Sequence, residues 1–145
     1  MKTLKKEKKV VVAMSGGIDS SVAAALLKKA GNKVVGVFMK FWKEPGQGEN
    51  RCCSSDSERR ARQVAKILKI PFYVFNFEKE FKKVVVDHFL KEHKEGLTPN
   101  PCVACNKEIK FGLLLEKTLK LGASLVATGH YARLAEVNPR PIKLL

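Results

Sequence analysis

The chain has 145 residues, of which 45% are hydrophobic, and carries 28 lysines and arginines against 14 aspartates and glutamates. This length fits one domain with its own core, and this hydrophobic fraction excludes a chain that is disordered throughout. The formal net charge of +14 favours a polyanionic partner, namely a nucleic acid, a nucleotide or an acidic membrane surface, although a lysine-rich composition alone also gives a basic, soluble surface.

The N-terminal segment does not read as a targeting signal. Met1–Lys9 is rich in lysine, and the apolar run Val10–Met14 is too short for a secretory signal or a membrane span. We therefore expect a cytoplasmic protein without a membrane partner, whose four cysteines are reactive or metal-binding rather than structural. Residues 1–8 are expected to be a flexible basic tail, 9–135 one folded domain, and 136–145 the start of a segment missing from this chain.

Strands and helices are predicted to alternate along the first half of the chain. The β-branched run Lys9–Ala13 is typical of a buried parallel strand, and the apolar spacing of Asp19–Ala30 predicts a helix. A second strand is predicted at Val34–Met39. After a polar loop, Ser55 or Asp56 is expected to cap a helix that extends to residue 68.

The same alternation continues in the second half. Phe72–Phe77 is predicted to be a strand, and Glu78–Lys94 a helix. Gly96–Asn106 is predicted to be a loop because it contains two prolines, Lys107–Leu121 a helix, and Ser124–Thr128 a strand. The helix over 78–94 has a predicted apolar stripe of Phe81, Val84, Val85, His88 and Phe89.

This order predicts an α/β fold, a doubly wound parallel sheet with helices on both faces. Such sheets bind ligands beyond the carboxyl ends of their strands. Ser15–Ser20, Met39, the Cys52 region, the Cys102 loop and Gly129 all lie at predicted strand ends or in loops on that side of the sheet. We therefore expect them to share one edge of the sheet and to form one site.

The turn after the first strand has the features of an anion site. Its sequence, AMSGGIDSS at residues 13–21, combines two glycines, three hydroxyls and the N-terminus of a helix, whose N–H groups favour negative charge. It lacks the lysine of a Walker loop and is not a dinucleotide-binding pattern. Asp19 is expected to cap the helix and to help place Mg²⁺. An ordinary strand–turn–helix with a serine or aspartate cap is the alternative.

The segment 96–111 carries two cysteines, Cys102 and Cys105. The thiolate is the nucleophilic form, and a helix N-terminus or nearby cations lower the pKa of a thiol. Cys105 precedes a predicted helix whose first turn contains Lys107 and Lys110. This position suits an activated nucleophile.

Four motifs, in order, resemble the tRNA-specific 2-thiouridylases, which carry a PP-loop ATP pyrophosphatase domain of the adenine nucleotide alpha-hydrolase-like (HUP) type. They are SGGxDSS at residues 15–21, Phe38-Met39-Lys40, TPNPxxxCNxxIKF at 98–111, and Ala127–Tyr131. The resemblance covers about residues 9–133. It implies that ATP adenylates the C2 oxygen of the wobble uridine of tRNA and that a persulfide sulfur then displaces AMP.

The resemblance also implies roles for individual residues. Cys105 is the implied catalytic cysteine, and Asn100, Pro101 and Cys102 are implied to contact the target base. The implied partners are tRNA and a protein that donates or relays persulfide sulfur; the oligomeric state stays open. The implied ATP contacts are Ala13, Met14, Ser15, Gly16, Gly17, Ile18, Asp19, Ser20, Met39 and Gly129.

The chain departs from this family at Cys102, where many members have an acidic residue. One hypothesis is that Cys102 and Cys105, with a cysteine outside this chain, ligate a 4Fe-4S iron–sulfur cluster. The alternatives are a packing cysteine, a disulfide-forming resolving cysteine, and, less favoured, a zinc site that uses Cys52 and Cys53. The family's second catalytic cysteine and its further tRNA-binding domains are not among these 145 residues.

Two other functions remain open from the sequence. Other PP-loop enzymes, such as amidotransferase-type synthetases or argininosuccinate synthase, share SGGxDS, but have no reason to keep the cysteine motif or a basic surface. A non-catalytic nucleotide- or metal-binding module is the second alternative. His130 follows Gly129 and either supports the nucleotide or only makes a local hydrogen bond.

Overall fold

A four-stranded parallel sheet forms the centre of the protein. The computed structural model describes residues 8–43, 46, 54–132, 134–135 and 143–144. The strand order in the sheet is β3-β2-β1-β4, and each neighbouring pair is parallel. The strands are β1 (Lys9–Ala13), β2 (Lys33–Lys40), β3 (Phe72–Asn76) and β4 (Leu125–Ala127), and a separate antiparallel pair follows, β5 (Leu134–Ala135) with β6 (Lys143–Leu144).

Four helical stretches occur within the described ranges. Helix α1 is Ile18–Lys29 and α2 is Ser55–Ile67. Helix α3 covers residues 78–94, as α-helix at Glu78–Phe81, π-helix at Lys82–Val86 and α-helix at Asp87–Lys94. Helix α4 covers residues 101–120, as Pro101–Ala104, a π-helix at Cys105–Leu113, and Leu114–Lys120. No helix in these ranges is both long and apolar enough to span a membrane.

The sheet is covered on both faces, as predicted, because successive side chains of a strand point to opposite sides. Val12 of β1 packs with Ala24 of α1 and Ala61 of α2 on one face. Val11 packs with Leu114 of α4 on the other face. Helices α1 and α2 therefore cover one side, and α3 and α4 the other, which confirms the doubly wound architecture.

Two predicted helix caps were wrong. Helix α1 begins after Gly17 with no side-chain cap, and Asp19 already lies inside the helix. Helix α2 is capped by Ser54, whose Oγ accepts a hydrogen bond from the backbone N–H of Ser57 at 3.1 Å. An N-cap residue must have non-helical dihedral angles, and Ser54 has them, whereas the predicted caps Ser55 and Asp56 are helical.

The predicted loop 96–106 was too long. Asn100 Oδ1 accepts a hydrogen bond from the backbone N–H of Val103 at 3.2 Å, and Pro101 occupies the first helical turn, where its missing N–H has no cost. Helix α4 therefore starts at Pro101 rather than at Lys107. Both Cys102 and Cys105 lie within it.

The π-helix of α3 changes which residues face the core. Val85 is buried, but His88 and Phe89, predicted to lie on the same apolar stripe, are exposed. A π-turn closes with one more residue than an α-turn, so residues that follow it are rotated away from the 3.6-residue stripe. His88 Nδ1 instead lies 3.3 Å from Glu92 Oε2.

Candidate nucleotide site

A cleft of about 420 Å³ opens beyond the carboxyl ends of β1 and β4. Strand β1 continues through α1 to β2 on one side, whereas its neighbour on the other side is β4, so this is the point at which the strand order reverses. The residues that line the cleft are Ala13, Met14, Ser15, Gly17, Asp19, Ser20, Phe38, Met39, Phe41, Ser57, Arg60, Lys110, Thr128, Gly129 and His130.

Two glycines allow the loop after β1 to sit close to its neighbours. Gly16 has a φ of +78°, and a Cβ atom on it would lie 2.2 Å from the backbone oxygen of Ser57 in α2. A Cβ on Gly129, which follows β4, would lie 2.7 Å from the backbone nitrogen of Ser20. Both contacts are too short for any side chain, so the loop is held between α2 and the segment after β4.

Serine hydroxyls order the inside of the loop. Ser20 is only 3% exposed, and its Oγ accepts a hydrogen bond from the backbone N–H of Ser15 at 3.2 Å. The same Oγ donates to the carbonyl oxygen of Gly17 at 3.3 Å, and Ser21 Oγ donates to that oxygen at 2.8 Å. The turn is therefore shaped by its own side chains at the start of α1.

Charged side chains reach this loop from several elements. Arg60 of α2 donates from Nε to the carbonyl oxygen of Gly16 at 3.2 Å, and Lys110 of α4 lines the same cleft. Asp19 lines the cleft and accepts a hydrogen bond from the Tyr131 hydroxyl at 2.8 Å. That hydrogen bond raises the pKa of Tyr131 above its ordinary value, and the negative charge of Asp19 acts in the same direction.

Most residues predicted to contact ATP line this single cleft, namely Ala13, Met14, Ser15, Gly17, Asp19, Ser20, Met39 and Gly129. The two exceptions are Gly16, which packs against Ser57, and Ile18, whose side chain is 81% exposed. His130 also lines the cleft, and its Nδ1 lies 2.7 Å from Thr128 Oγ1, so both of its proposed roles fit its position.

Sequence reasoning missed Ser57 and Arg60. Helix α2 follows β2, so its N-terminus lies at the carboxyl edge of the sheet, and residues of its first two turns are near any ligand there. Ser57 and Arg60 are three residues apart and therefore share one helix face. A serine and an arginine three residues apart, near the start of the helix that follows β2, were the sequence signal that could have identified them.

The two cysteines of α4 have opposite environments. Cys102 is exposed, whereas Cys105 is 8% exposed within an apolar cluster. The other buried members of that cluster are Phe41, Phe77, Val85 and Ile109. Cys105 is therefore not at the helix start that was predicted to activate it, and Cys102 occupies the first turn instead. The two cysteines do not form a disulfide with each other.

Two of the three residues predicted to contact the target base, Asn100 and Pro101, line a second cleft of about 610 Å³ between α3 and α4, whereas Cys102 does not line it. Asn100 and Pro101 lie at its edge with Lys83, Phe89 and Lys107. The side-chain oxygen of Asn100 also caps α4, so this residue has a structural use as well. The structure thus brings most of the predicted nucleotide residues together in one cleft, but Asn100 and Pro101 line a second cleft, and Cys102 and Cys105 line neither. The residues predicted to form one site therefore do not line a single cleft.

The described residues give little support to a metal centre. No group of three or more histidine, cysteine, aspartate or glutamate side chains in these ranges is arranged to hold a metal ion. Cys102 and Cys105 offer two thiols, one exposed and one buried, so an iron–sulfur cluster would need ligands from elsewhere. Cys52 and Cys53, and any zinc site that uses them, lie outside the described residues.

A protein-family model described as "tRNA methyl transferase HUP domain" matches residues 8–144. The chain is 56% identical over 134 residues to the tRNA-specific 2-thiouridylase MnmA of Geotalea uraniireducens, and 53% identical over 138 residues to that of Geobacter metallireducens. These alignments cover 88% and 91% of this chain. The chain spans only 36% and 38% of the two relatives.

Solved structures with the same fold include a predicted subunit of tRNA methyltransferase from Methanocaldococcus jannaschii. It has a TM-score of 0.55 and 27% identity, over 85% of this chain and 53% of that one. A glutamine-dependent NAD+ synthetase from Acinetobacter baumannii, solved with ADP, has a TM-score of 0.59 and 19% identity, over 83% of this chain and 21% of that one. The second likeness concerns the fold alone.

Proposed function

The chain belongs to the tRNA methyl transferase HUP domain family, as its motifs predicted, and from this premise we propose that it binds and uses ATP in the 2-thiolation of the wobble uridine of tRNA. The observation that carries the proposal is the convergence of the Ser15–Ser20 loop, Met39 and Gly129 on one cleft. The names of the relatives favour sulfur transfer over the methyl transfer in the family description.

The proposed reaction has two stages. The C2 carbonyl oxygen of uridine attacks the α-phosphorus of ATP, and the bond to the β-phosphate breaks, so pyrophosphate leaves with the bonding electron pair. The outer sulfur of a persulfide then attacks C2, and AMP leaves with the former carbonyl oxygen, so that C2 is joined to the persulfide cysteine through two sulfur atoms. A second thiol attacks the inner, cysteine-bound sulfur, the S–S bond breaks, and the products are 2-thiouridine and a disulfide between the two thiols. Adenylation is needed because the carbonyl oxygen is otherwise a poor leaving group.

The cleft residues have distinct tasks in this proposal. The N–H groups at the start of α1 and the loop after β1 bind the β- and γ-phosphates. Met39 and Gly129 contact the rest of the nucleotide. Mg²⁺ would neutralise phosphate charge, and Asp19 is the cleft carboxylate that would hold it, since Mg²⁺ in such sites commonly uses one or two carboxylates together with phosphates.

Cys105 is the proposed nucleophile of the sulfur-transfer stage, with Cys102 as an accessory residue and Asn100 and Pro101 as base contacts. Because Cys105 is buried, this role requires α4 to expose the thiol when tRNA or the persulfide donor binds. A cluster held by Cys102, Cys105 and an outside cysteine stays a prediction, and no step is drawn through it.

Nucleotide binding by the 145-residue chain is the direct test. Calorimetry with the uncleavable analogue AMPCPP should show saturable binding, and Cys105→Ser should leave that binding unchanged. A folded chain that takes up no AMPCPP would contradict the proposal. An amidotransferase-type synthetase would also bind the analogue, so a second assay is needed to separate the two functions.

That second assay places this chain in the Geotalea 2-thiouridylase, in place of the segment to which it is 56% identical. The chimera should thiolate unmodified tRNA with ATP and a persulfide donor, and Cys105→Ser should abolish thiolation. A chimera that binds ATP but never forms 2-thiouridine would favour another PP-loop reaction. The parent enzyme serves as the positive control.

A further inference from the structure

We propose that Arg60 contacts the β- and γ-phosphates of ATP and holds the pyrophosphate as it leaves, so that it distinguishes ATP from AMP. This inference rests on the proposed function and adds a residue that the phosphate-loop motif does not contain. Arg60 lies in the second turn of α2, a different element from the loop itself, and lines the same cleft.

The position of the guanidinium is fixed relative to the loop. Its Nε donates to the carbonyl oxygen of Gly16 at 3.2 Å, and its Nη2 donates to Ser57 Oγ at 3.0 Å. The close packing of Gly16 on the Ser57 backbone keeps α2 and the loop together. A guanidinium has five N–H groups, and these two contacts use two of them.

The charge of Arg60 is directed to the cleft rather than to a carboxylate. Both of its described contacts are with neutral oxygens. The acidic residues beside it on α2 bind other cations: Asp56 pairs with Arg59 at 2.8 Å, and Glu58 pairs with Arg62 at 2.8 Å and with Lys40 at 3.3 Å. Among the described residues, the cleft is lined by one arginine, Arg60, by one lysine, Lys110, and by one carboxylate, that of Asp19.

This arrangement suits a phosphate ligand. Arginine binds phosphate oxygens with two parallel N–H groups, and such charge-assisted bonds are stronger than neutral ones. Negative charge moves onto the β-phosphate as its bond to the α-phosphate breaks, so a cation there stabilises the leaving group. The α-phosphate stays with AMP. Loss of Arg60 should therefore affect triphosphate and pyrophosphate ligands and spare AMP.

The test is calorimetry of the whole 145-residue chain with AMPCPP, pyrophosphate and AMP. Arg60→Gln should weaken AMPCPP and pyrophosphate binding by at least about tenfold, the effect of losing a hydrogen bond to a charged group. AMP binding should change by less than about twofold, within ordinary surface-substitution effects. Arg60→Lys keeps the positive charge but lacks the two parallel N–H groups of the guanidinium, so it should give an intermediate loss of AMPCPP and pyrophosphate affinity.

Arg59→Gln is the matched control, because Arg59 is the adjacent residue, is 77% exposed, pairs with Asp56 and does not line the cleft. It should leave all three affinities unchanged. Equal losses for AMP and AMPCPP in Arg60→Gln would overturn the inference, since Arg60 would then only support the loop. Unchanged affinities would also overturn it. If the wild-type chain bound AMP, AMPCPP and pyrophosphate all poorly, both the proposed function and the inference about Arg60 would fail.

Discussion

The phosphate-loop cleft and the cysteine-bearing start of α4 are organised in different ways. In the cleft, the loop after β1 is ordered by Ser20 and by backbone packing of Gly16 and Gly129, and Ser15, Gly17 and Asp19 line the open space. In α4, the implied nucleophile Cys105 is buried beneath aromatic side chains. The proposed nucleotide site is preorganised, whereas the proposed role of Cys105 in sulfur transfer requires a rearrangement of α4.

The contrast has a physical basis. A turn with positive φ and tight backbone contacts is specified by glycines and stays in place without a ligand. A thiol enclosed by apolar side chains is out of reach of a protein or RNA substrate, so the proposed role of Cys105 requires α4 to move. Cys105 also lies at the start of a π-helical segment, a geometry that is rare and frequently found at functional sites.

The largest expected effect tests whether the cleft is preorganised by backbone packing. Gly16 and Gly31 have similar φ values, +78° and +84°, but a Cβ on Gly31 would meet nothing within 4 Å. Gly31→Ala should lose about 1–2 kcal/mol of unfolding free energy from the left-handed conformation alone. Gly16→Ala should lose about 1–3 kcal/mol more, from overpacking. Urea denaturation measures both, and equal losses would show that the loop does not pack on α2.

The second prediction concerns the thiols of α4. Iodoacetamide should alkylate Cys102 at least roughly tenfold faster than Cys105, which corresponds to an opening free energy of about 1.4 kcal/mol for the buried thiol. Peptide mapping by mass spectrometry separates these sites from the other two cysteines. In denaturing urea the two rates should converge. Equal rates under native conditions would mean that α4 already exposes Cys105, and the contrast between the two regions would disappear.

The smallest expected effect concerns Glu58 of α2, whose ion pair with Lys40 links this helix to the end of β2. The hydrogen bond from Arg62 lowers the pKa of Glu58, and Lys40 acts in the same direction, while burial opposes them. The lowered pKa means that Glu58 adds stability above the ordinary glutamate pKa of about 4.3, and this contribution is lost as the pH falls through the lowered value.

Glu58→Gln should therefore lower the unfolding free energy at pH 7 by a few tenths to about 1 kcal/mol, because solvent screens the pair, and should flatten the decline of stability in acid. Glu116→Gln is the control, since Glu116 pairs with Lys120 within one helix and joins no two elements. Chemical denaturation at neutral and acidic pH compares the variants. A Glu58 variant no less stable than the control would show that the link between β2 and α2 contributes nothing.

The sequence was most informative where one residue type meets a strict backbone requirement. The β-branched run Lys9–Ala13 predicted β1 with its observed bounds. The two glycines and the serines of the loop, together with Gly129, predicted the cleft, because only glycine permits the backbone contacts seen there. Asn100-Pro101 is a sequence signal for a helix start, with Asn100 as the cap and Pro101 in the first turn. The segment was predicted to be a loop because prolines also mark turns.

Other features depended on tertiary structure. The π-helical segments have no distinct sequence pattern, so the positions of His88 and Cys105 could not be read from a 3.6-residue period. Arg60 became a site residue only because α2 starts at the sheet edge occupied by the loop. Interpretation of the cysteine motif was similarly incomplete, since the burial of Cys105 depends on Phe41 and Phe77, which are distant in sequence.

Phe41 belongs to both regions: it lines the nucleotide cleft and is a buried member of the group of side chains around Cys105. A ligand that displaces this ring would alter the cover over the sulfur atom, and linkage is reciprocal. If a bound nucleotide raises the affinity of the Cys105 sulfur for a second ligand by some factor, that second ligand must raise the nucleotide affinity by the same factor. In the proposed reaction, this one aromatic ring would couple nucleotide binding to the accessibility of Cys105.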